Sequence, residues 1–110
     1  MTTPLRDRRC KPLPAGTPVL APEDAIALLN ELAEGWRISE DGKSLRRAFG
    51  FPDFYRTMAF LNAVAWIANV EDHHPDLEAG YNFCRLEFST HSIGGLSEND
   101  FICAAKIDAL

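Results

Sequence analysis

The 110-residue chain has three histidines, and all of them fall between positions 73 and 91: His73, His74 and His91. Imidazole has an ordinary pKa of about 6.5, so one group can both give and take a proton at neutral pH. Groups able to hold such rings stand nearby in sequence: Asp72, Asp76, Tyr81 and, further on, Asp100. No obvious nucleophile accompanies them, so the cluster points to acid–base chemistry such as the elimination of water. A metal site fits less well, because adjacent histidines rarely aim at one ion and no HExxH spacing is present. The plainer alternative is that each histidine simply ends a loop or a helix.

The elements that must position these residues are readable around them. Asp53 is a candidate N-cap for a long helix over Phe54 to Val70. That helix ends across Glu71 to Pro75, and Pro75 restricts His74 to extended geometry. Phe54, Met58, Leu61, Ala65 and Ala68 lie on one side of it, and Phe60, Val64 and Ile67 on another. A helix apolar on two sides has one face for a sheet and one available to a second subunit. Tyr81 to Thr90 reads as a strand that delivers His91 at its end. Cys84, Leu86 and Phe88 form one face of it, and Arg85, Glu87 and Ser89 the other. Ile93-Gly94-Gly95-Leu96 is a tight turn. Ser97 then caps a third helix with Asp100 at N3, an Asp-for-Glu form of the capping box. Phe101, Ala104, Ala105 and Asp108 line that helix.

Upstream, Pro22 to Glu34 carries helical spacing at Ala25, Leu28, Leu29, Leu32 and Ala33, with Pro22 in the first turn and Gly35 as a stop. Trp36-Arg37-Ile38 is a short strand. Asp41-Gly42 predicts a type I′ hairpin, and Leu45, Arg47, Phe49 and Phe51 alternate on the return strand. With a further short strand near Leu77, the order predicts an α+β fold. It is a four-stranded antiparallel sheet with about three helices packed on one face. Residues 1–20 carry four of the seven prolines and no periodicity, which predicts an extended or disordered, solvated arm before a single domain over 21–110.

Composition narrows the function classes. Apolar content of 46% and charged content of 25% suit a globule, not a disordered chain. From residue 12 onward seven basic side chains face fifteen acidic ones, which argues against sequence-independent nucleic-acid binding. The longest apolar run, Ala63 to Ala68, is too short to span a bilayer, and the basic N-terminus has no apolar run after it to make a signal sequence. Cys10, Cys84 and Cys103 form no CxxC pair and suit a reducing cytoplasm.

A long set of residues resembles the pterin-4a-carbinolamine dehydratase family. It begins at Trp36 and takes in Asp41-Gly42-Lys43-Ser44-Leu45-Arg46-Arg47, Phe49-x-Phe51-x-Asp53-Phe54, Ala59-Phe60 and Val64-Ala65. It continues through His73-His74-Pro75-Asp76, Tyr81, Thr90-His91, Gly94-Gly95-Leu96-Ser97-Glu98 and Asp100. The string His-His-Pro, five residues, Tyr, nine residues, His is specific as a set. The resemblance covers roughly residues 35–108.

The resemblance implies the same four-stranded fold, assembled as a homodimer or a homotetramer paired through helices. It implies a cytoplasmic hydro-lyase with no cofactor of its own, acting on a pterin. Water is removed from 4a-hydroxytetrahydrobiopterin to give the quinonoid dihydropterin, linking the protein to an aromatic amino-acid hydroxylase. His73, His74 and His91 then take the catalytic positions, with His73 and His91 as acid and base and His74 holding and polarising the pterin. Pro75, Tyr81 and Asp100 become substrate-binding candidates, with Asp100 either bonding the pterin or orienting a histidine. No metal ligand is implied. The alternative carried by the same resemblance is a non-catalytic binding module, of the transcriptional-coactivator or Rubisco-assembly-chaperone type. One departure stands out: the family often has an acid four positions before the first histidine, and here that residue is Asn69.

Overall fold

A strand that alternates apolar and charged side chains can be covered on one face only, and the strand Phe83–Phe88 (β4) alternates in this way. In the computed structural model, which describes residues 3–110, its Cys84, Leu86 and Phe88 are buried while Arg85 is exposed. The other strands are Arg37–Ile38 (β1), Leu45–Gly50 (β2) and Asp76–Ala79 (β3). All pairs are antiparallel, in the order β1-β2-β4-β3, so the four-stranded sheet is as expected. Leu45 lies opposite Phe88, both buried, while Leu77 on the edge strand lies opposite the buried Leu86 and is itself 52% exposed. Arg46 opposite Glu87 and Glu78 opposite Arg85 form ion pairs on the open side.

The helices Pro22–Leu29 (α1), Phe54–Glu71 (α2) and Glu98–Asp108 (α3) supply the cover. The core joins Trp36, Leu45, Val64, Leu86, Phe88, Phe101 and Ile102, none more than 5% exposed. Asp108 fixes the far end of α3: its Oδ1 accepts from Trp36 Nε1 and Arg47 Nη1, each at 2.8 Å, and its Oδ2 accepts the Ala33 N–H at 2.9 Å. This explains why α1 stops at Leu29 and not at Glu34. The chain leaves through i→i−3 bonds, Glu31 to Leu28 and Leu32 to Leu29, and Ala33 bonds across to Asp108.

The turn between β1 and β2 also differs from expectation. A type I′ turn needs positive φ at both central residues, but here only Gly42 has it, at +74°. The Ser39 N–H bonds Ser44 O at 2.9 Å, closing a four-residue loop. Asp41 Oδ1 orders it by accepting from Ser39 Oγ and the Lys43 N–H. Along α2 the buried line is Thr57, Leu61, Val64, Ala68 and Glu71. Leu61 and Ala68 therefore belong with Val64, and not with the outward-facing Phe54 and Met58. Tyr55, Trp66 and Val70 complete the exposed apolar face.

Residues before α1 carry no strand, and one 3₁₀ turn at Leu5–Asp7 is their only helical segment among the described residues. They nevertheless pack, against the expectation of a solvated arm. Leu5 is 3% exposed, Arg8 pairs with Glu98 at 2.9 Å, and Lys106 Nζ donates to Arg6 O at 2.7 Å. The arm covers the side of α3 turned away from the sheet, which is why Asn99 through Ala104 are all buried.

Glu71 anchors the arm, with its side chain 3% exposed between Arg9 Nε at 2.9 Å and the Cys10 N–H at 2.8 Å. Burial works to raise its carboxyl, but the Cys10 N–H, the Arg9 bond and the charges of Lys106 and Arg9 together hold it below its ordinary value of 4.5. A group held lower in the folded than in the unfolded chain stabilises the fold above its unfolded value, and that stability is lost as pH falls through the folded value. Urea midpoints of the wild type should therefore fall more steeply than those of Glu71→Gln between about pH 5 and pH 3.

Candidate functional site

Four segments converge where β3 begins and β4 ends. Asp72 closes α2 in the left-handed region, at φ 51° and ψ 44°, a conformation Asp tolerates better than most residues. The reversal brings the His73 N–H back onto Ala68 O at 3.1 Å and turns the His73 ring inward. That ring stacks on Phe88 of β4, with centroids 6.0 Å apart and planes 10° apart. Its Nε2 lies 2.6 Å from Asp100 Oδ1, with the His73 side chain 11% exposed and the Asp100 side chain not exposed at all.

Asp100 is fully committed. Its Oδ2 accepts from Thr90 Oγ1 at 2.9 Å and from the Ser97 N–H at 3.0 Å, while Ser97 Oγ lies 2.6 Å from Thr90 Oγ1. The capping box expected at Ser97 and Asp100 is complete. The same carboxylate thus caps α3 with one oxygen and holds His73 with the other. An ionised carboxylate only accepts, so in a His73–carboxylate contact through Nε2 that nitrogen carries the proton, and Nδ1 takes no part in the contact. With both oxygens occupied and no exposed surface, Asp100 is suited to orient His73 and not to meet a ligand.

The other candidates stand around this pair. His74 is exposed, and its Nε2 donates to Asn69 Oδ1 at 3.3 Å, so position 69 faces His74 and not His73. His91 is exposed on the 3₁₀ turn His91–Ile93, directly after the Thr90 that bonds Asp100. Pro75 is half-buried between His74 and the start of β3. Tyr81 is not brought to this end. It lies beyond Ala79 in the turn to β4, roughly 10 Å or more from the first residue of β3 along the strand. It is 65% exposed, and its carbonyl takes the Thr57 hydroxyl at 3.0 Å.

Thr90 and Ser97 are parts of the site whose role the sequence concealed. Their signal was present, since Ser97 is the helix cap and Thr90 precedes His91, but their convergence on one carboxylate is a tertiary fact. Cys103 also touches the site from behind, with its thiol 3.9 Å from His73 O and 3.7 Å from Cys10 Sγ. The neighbouring Cys10 thiol, burial, and the Glu71 and Asp100 carboxylates push Cys103 up, so it remains a neutral thiol. Two broad concavities lie apart from the histidines. One of about 710 Å³ lies on the open sheet face, and one of about 790 Å³ lies between α1, β1 and Gly94–Leu96.

Known proteins resemble this chain in sequence and in fold. The family model described as pterin 4 alpha carbinolamine dehydratase matches residues 18–110. A protein of Nitrosomonas eutropha named "Putative pterin-4-alpha-carbinolamine dehydratase" is 56% identical over 106 residues, covering 96% of this chain and 92% of its own length. One of the same name from Legionella pneumophila is 52% identical over 110 residues, 100% of this chain and 97% of its own. The crystal structure of a transcriptional coactivator/pterin dehydratase from Brucella melitensis superposes with a TM-score of 0.79 at 30% identity, covering 84% of this chain and 97% of that one. A pterin dehydratase-like protein identified as a RuBisCO assembly factor in the alpha-carboxysome superposes with a TM-score of 0.61 at 26% identity, covering 69% and 88%.

The energetics of Asp100 can be tested without a substrate. Asp100→Ala strands His73, Thr90 and the Ser97 N–H in a buried place and should cost about 1–3 kcal/mol of unfolding free energy for each donor left unpaired. Thr90→Val, which removes one of the donors, should cost about 1–3 kcal/mol. Equilibrium urea unfolding of the two variants beside the wild type measures both.

Proposed function

The chain belongs to the pterin 4 alpha carbinolamine dehydratase family, and on that premise we propose that it removes water from 4a-hydroxytetrahydrobiopterin by histidine acid–base catalysis. The observation that carries this reading is the 2.6 Å contact of His73 with a wholly buried carboxylate. A carboxylate behind one ring nitrogen fixes the tautomer and steadies the ring whenever the other nitrogen takes up a proton.

The reaction asks for two proton transfers. Hydroxide leaves poorly, so an acid must protonate the C4a oxygen as that bond breaks, while a base takes the proton from N5 and the nitrogen lone pair drives the departure. His73 and His91 are assigned these two transfers. His74, tethered by Asn69, holds and polarises the pterin, and Pro75 forms a wall of the site. Asp100 acts through His73 by setting its orientation. Tyr81 keeps a structural role at the far turn. The product is the quinonoid dihydropterin, which places the protein in the recycling of the cofactor used by an aromatic amino-acid hydroxylase.

The exposed apolar face of α2, carrying Phe54, Tyr55, Met58 and Trp66, supports association of the chain into a homodimer or a homotetramer. No helix among the described residues is long and apolar enough to cross a membrane. With three free thiols, the reading is of a cytoplasmic protein.

The likeness to a RuBisCO assembly factor supports a second reading, a binding module that does no chemistry. The retained histidines His73, His74 and His91 favour catalysis. The test is a direct assay in which enzymatically generated 4a-hydroxytetrahydropterin is followed by absorbance with and without the protein. The wild type should accelerate dehydration, and His73→Ala or His91→Ala should lower turnover by roughly 10²–10⁴. Near wild-type rates in both variants would remove the acid and base assignments, and no acceleration by the wild type would favour the binding module.

A further inference from the structure

His73 and Asp100 each have a close sequence neighbour that reaches back to the arm. Two residues before His73, the buried Glu71 accepts from Arg9 Nε at 2.9 Å and from the Cys10 N–H at 2.8 Å, with Lys106 Nζ 3.9 Å away. One residue before Asp100, the buried Asn99 accepts the Lys11 N–H at 3.0 Å and donates to Lys11 O at 2.7 Å. Between them Cys10 Sγ rests 3.7 Å from Cys103 Sγ and 3.6 Å from Asn99 O. A single tripeptide, Arg9-Cys10-Lys11, thus ties the end of α2 to the start of α3 on the side opposite the histidine rings. These three residues lie outside the 18–110 segment that the family model matches.

We propose that Glu71 and Asn99 are positioning residues, which clamp Arg9–Lys11 across the rear of the site and so hold His73 against Asp100. The two helix ends bridged by the tripeptide carry the two halves of the pair, so play at the rear becomes play at the front. The contact at the front is short and shielded from water. A displacement near 1 Å at a reacting group can lower a rate by about 100-fold, which makes such bracing consequential. Glu71 suits the task because its buried charge is bound by groups from the arm and from α3 together. The effect on turnover rests on the dehydratase reading, whereas the effect on the His73–Asp100 contact does not.

The experiment uses the full chain with Glu71→Gln, Asn99→Ala and Arg9→Ala, and with Arg46→Ala on the open sheet face as a control. One readout is the exchange with water of the His73 Nε2 proton by NMR, assigned by its loss in His73→Ala. The other is the split between kcat and KM in the dehydration assay. The clamp variants should exchange this proton at least ~10-fold faster and lose about 10-fold in kcat with KM within about twofold. Arg9→Lys should restore most of both, and Arg46→Ala should change neither. Arg9 has a side chain 68% exposed, so Arg9→Ala keeps the test open should Asn99→Ala fail to fold. Wild-type proton exchange in the folded variants overturns the proposal, whether or not the chain proves to be a dehydratase. Faster exchange with unchanged kcat, in a protein that turns over, overturns the positioning role. If the wild type dehydrates nothing, the proton readout alone decides.

Discussion

Removing an ionised carboxylate from water costs on the order of several kcal/mol, and neighbouring donors must offset it closely. Asp100 has no exposed surface and meets that demand with donors from three places: the Ser97 backbone, the Thr90 hydroxyl at the end of β4, and the His73 ring after α2. None of these segments can shift without leaving the carboxylate short of a partner. The position at N3 of α3 helps, because the helix N-terminus favours negative charge. The left-handed turn at Asp72, the pairing of β3 with β4 and the glycine turn before Ser97 all serve to bring the three donors together.

The other end of α3 repeats the arrangement with different chemistry. Asp108 draws in Trp36, Arg47 and the Ala33 N–H, and Arg47 lies 4.4 Å over the Phe49 ring. One helix therefore carries a carboxylate at each end, the first gripping the histidine segment and the second gripping the start of the sheet. Covered by the sheet on one side and the arm on the other, α3 is the axis on which both ends of the molecule are registered.

How much of this was legible in the sequence depended on the range of the interaction. The candidate site residues His73, His74 and His91 stand out by type and spacing, and Asp100 by its offset of three from Ser97. Strand faces follow from alternation, and the short strand predicted near Leu77 is β3. The apolar spacing runs on to Ala33 and predicts a helix to Glu34, but α1 ends at Leu29 and the Ala33 N–H is taken by Asp108, 75 residues away. The Asp41-Gly42 pair suggested a two-residue turn, but Asp41 uses its side chain to order a longer loop. Docking of the arm gave no signal, since Glu71 and Asn99 are isolated polar residues whose partners lie 61 and 88 positions away. Tyr81 is part of the string that carries the resemblance, yet the register of β3 with β4 places it at the opposite end of the sheet from His73.

The two tryptophans divide the molecule in a way that a spectroscopist can use. Trp36 is 5% exposed, with its indole N–H bonded to Asp108 and its ring against Phe49 and Phe88, so its emission tracks the integrity of the core. Trp66 is 70% exposed on the outer face of α2, so its emission tracks whatever comes to cover that face. Replacing either one with phenylalanine leaves a chain with a single tryptophan, whose emission is read apart from that of Tyr55 and Tyr81 by exciting at the red edge of indole absorption. Unfolding and self-association, which a bulk signal would merge, then become separately visible in one protein without an added label.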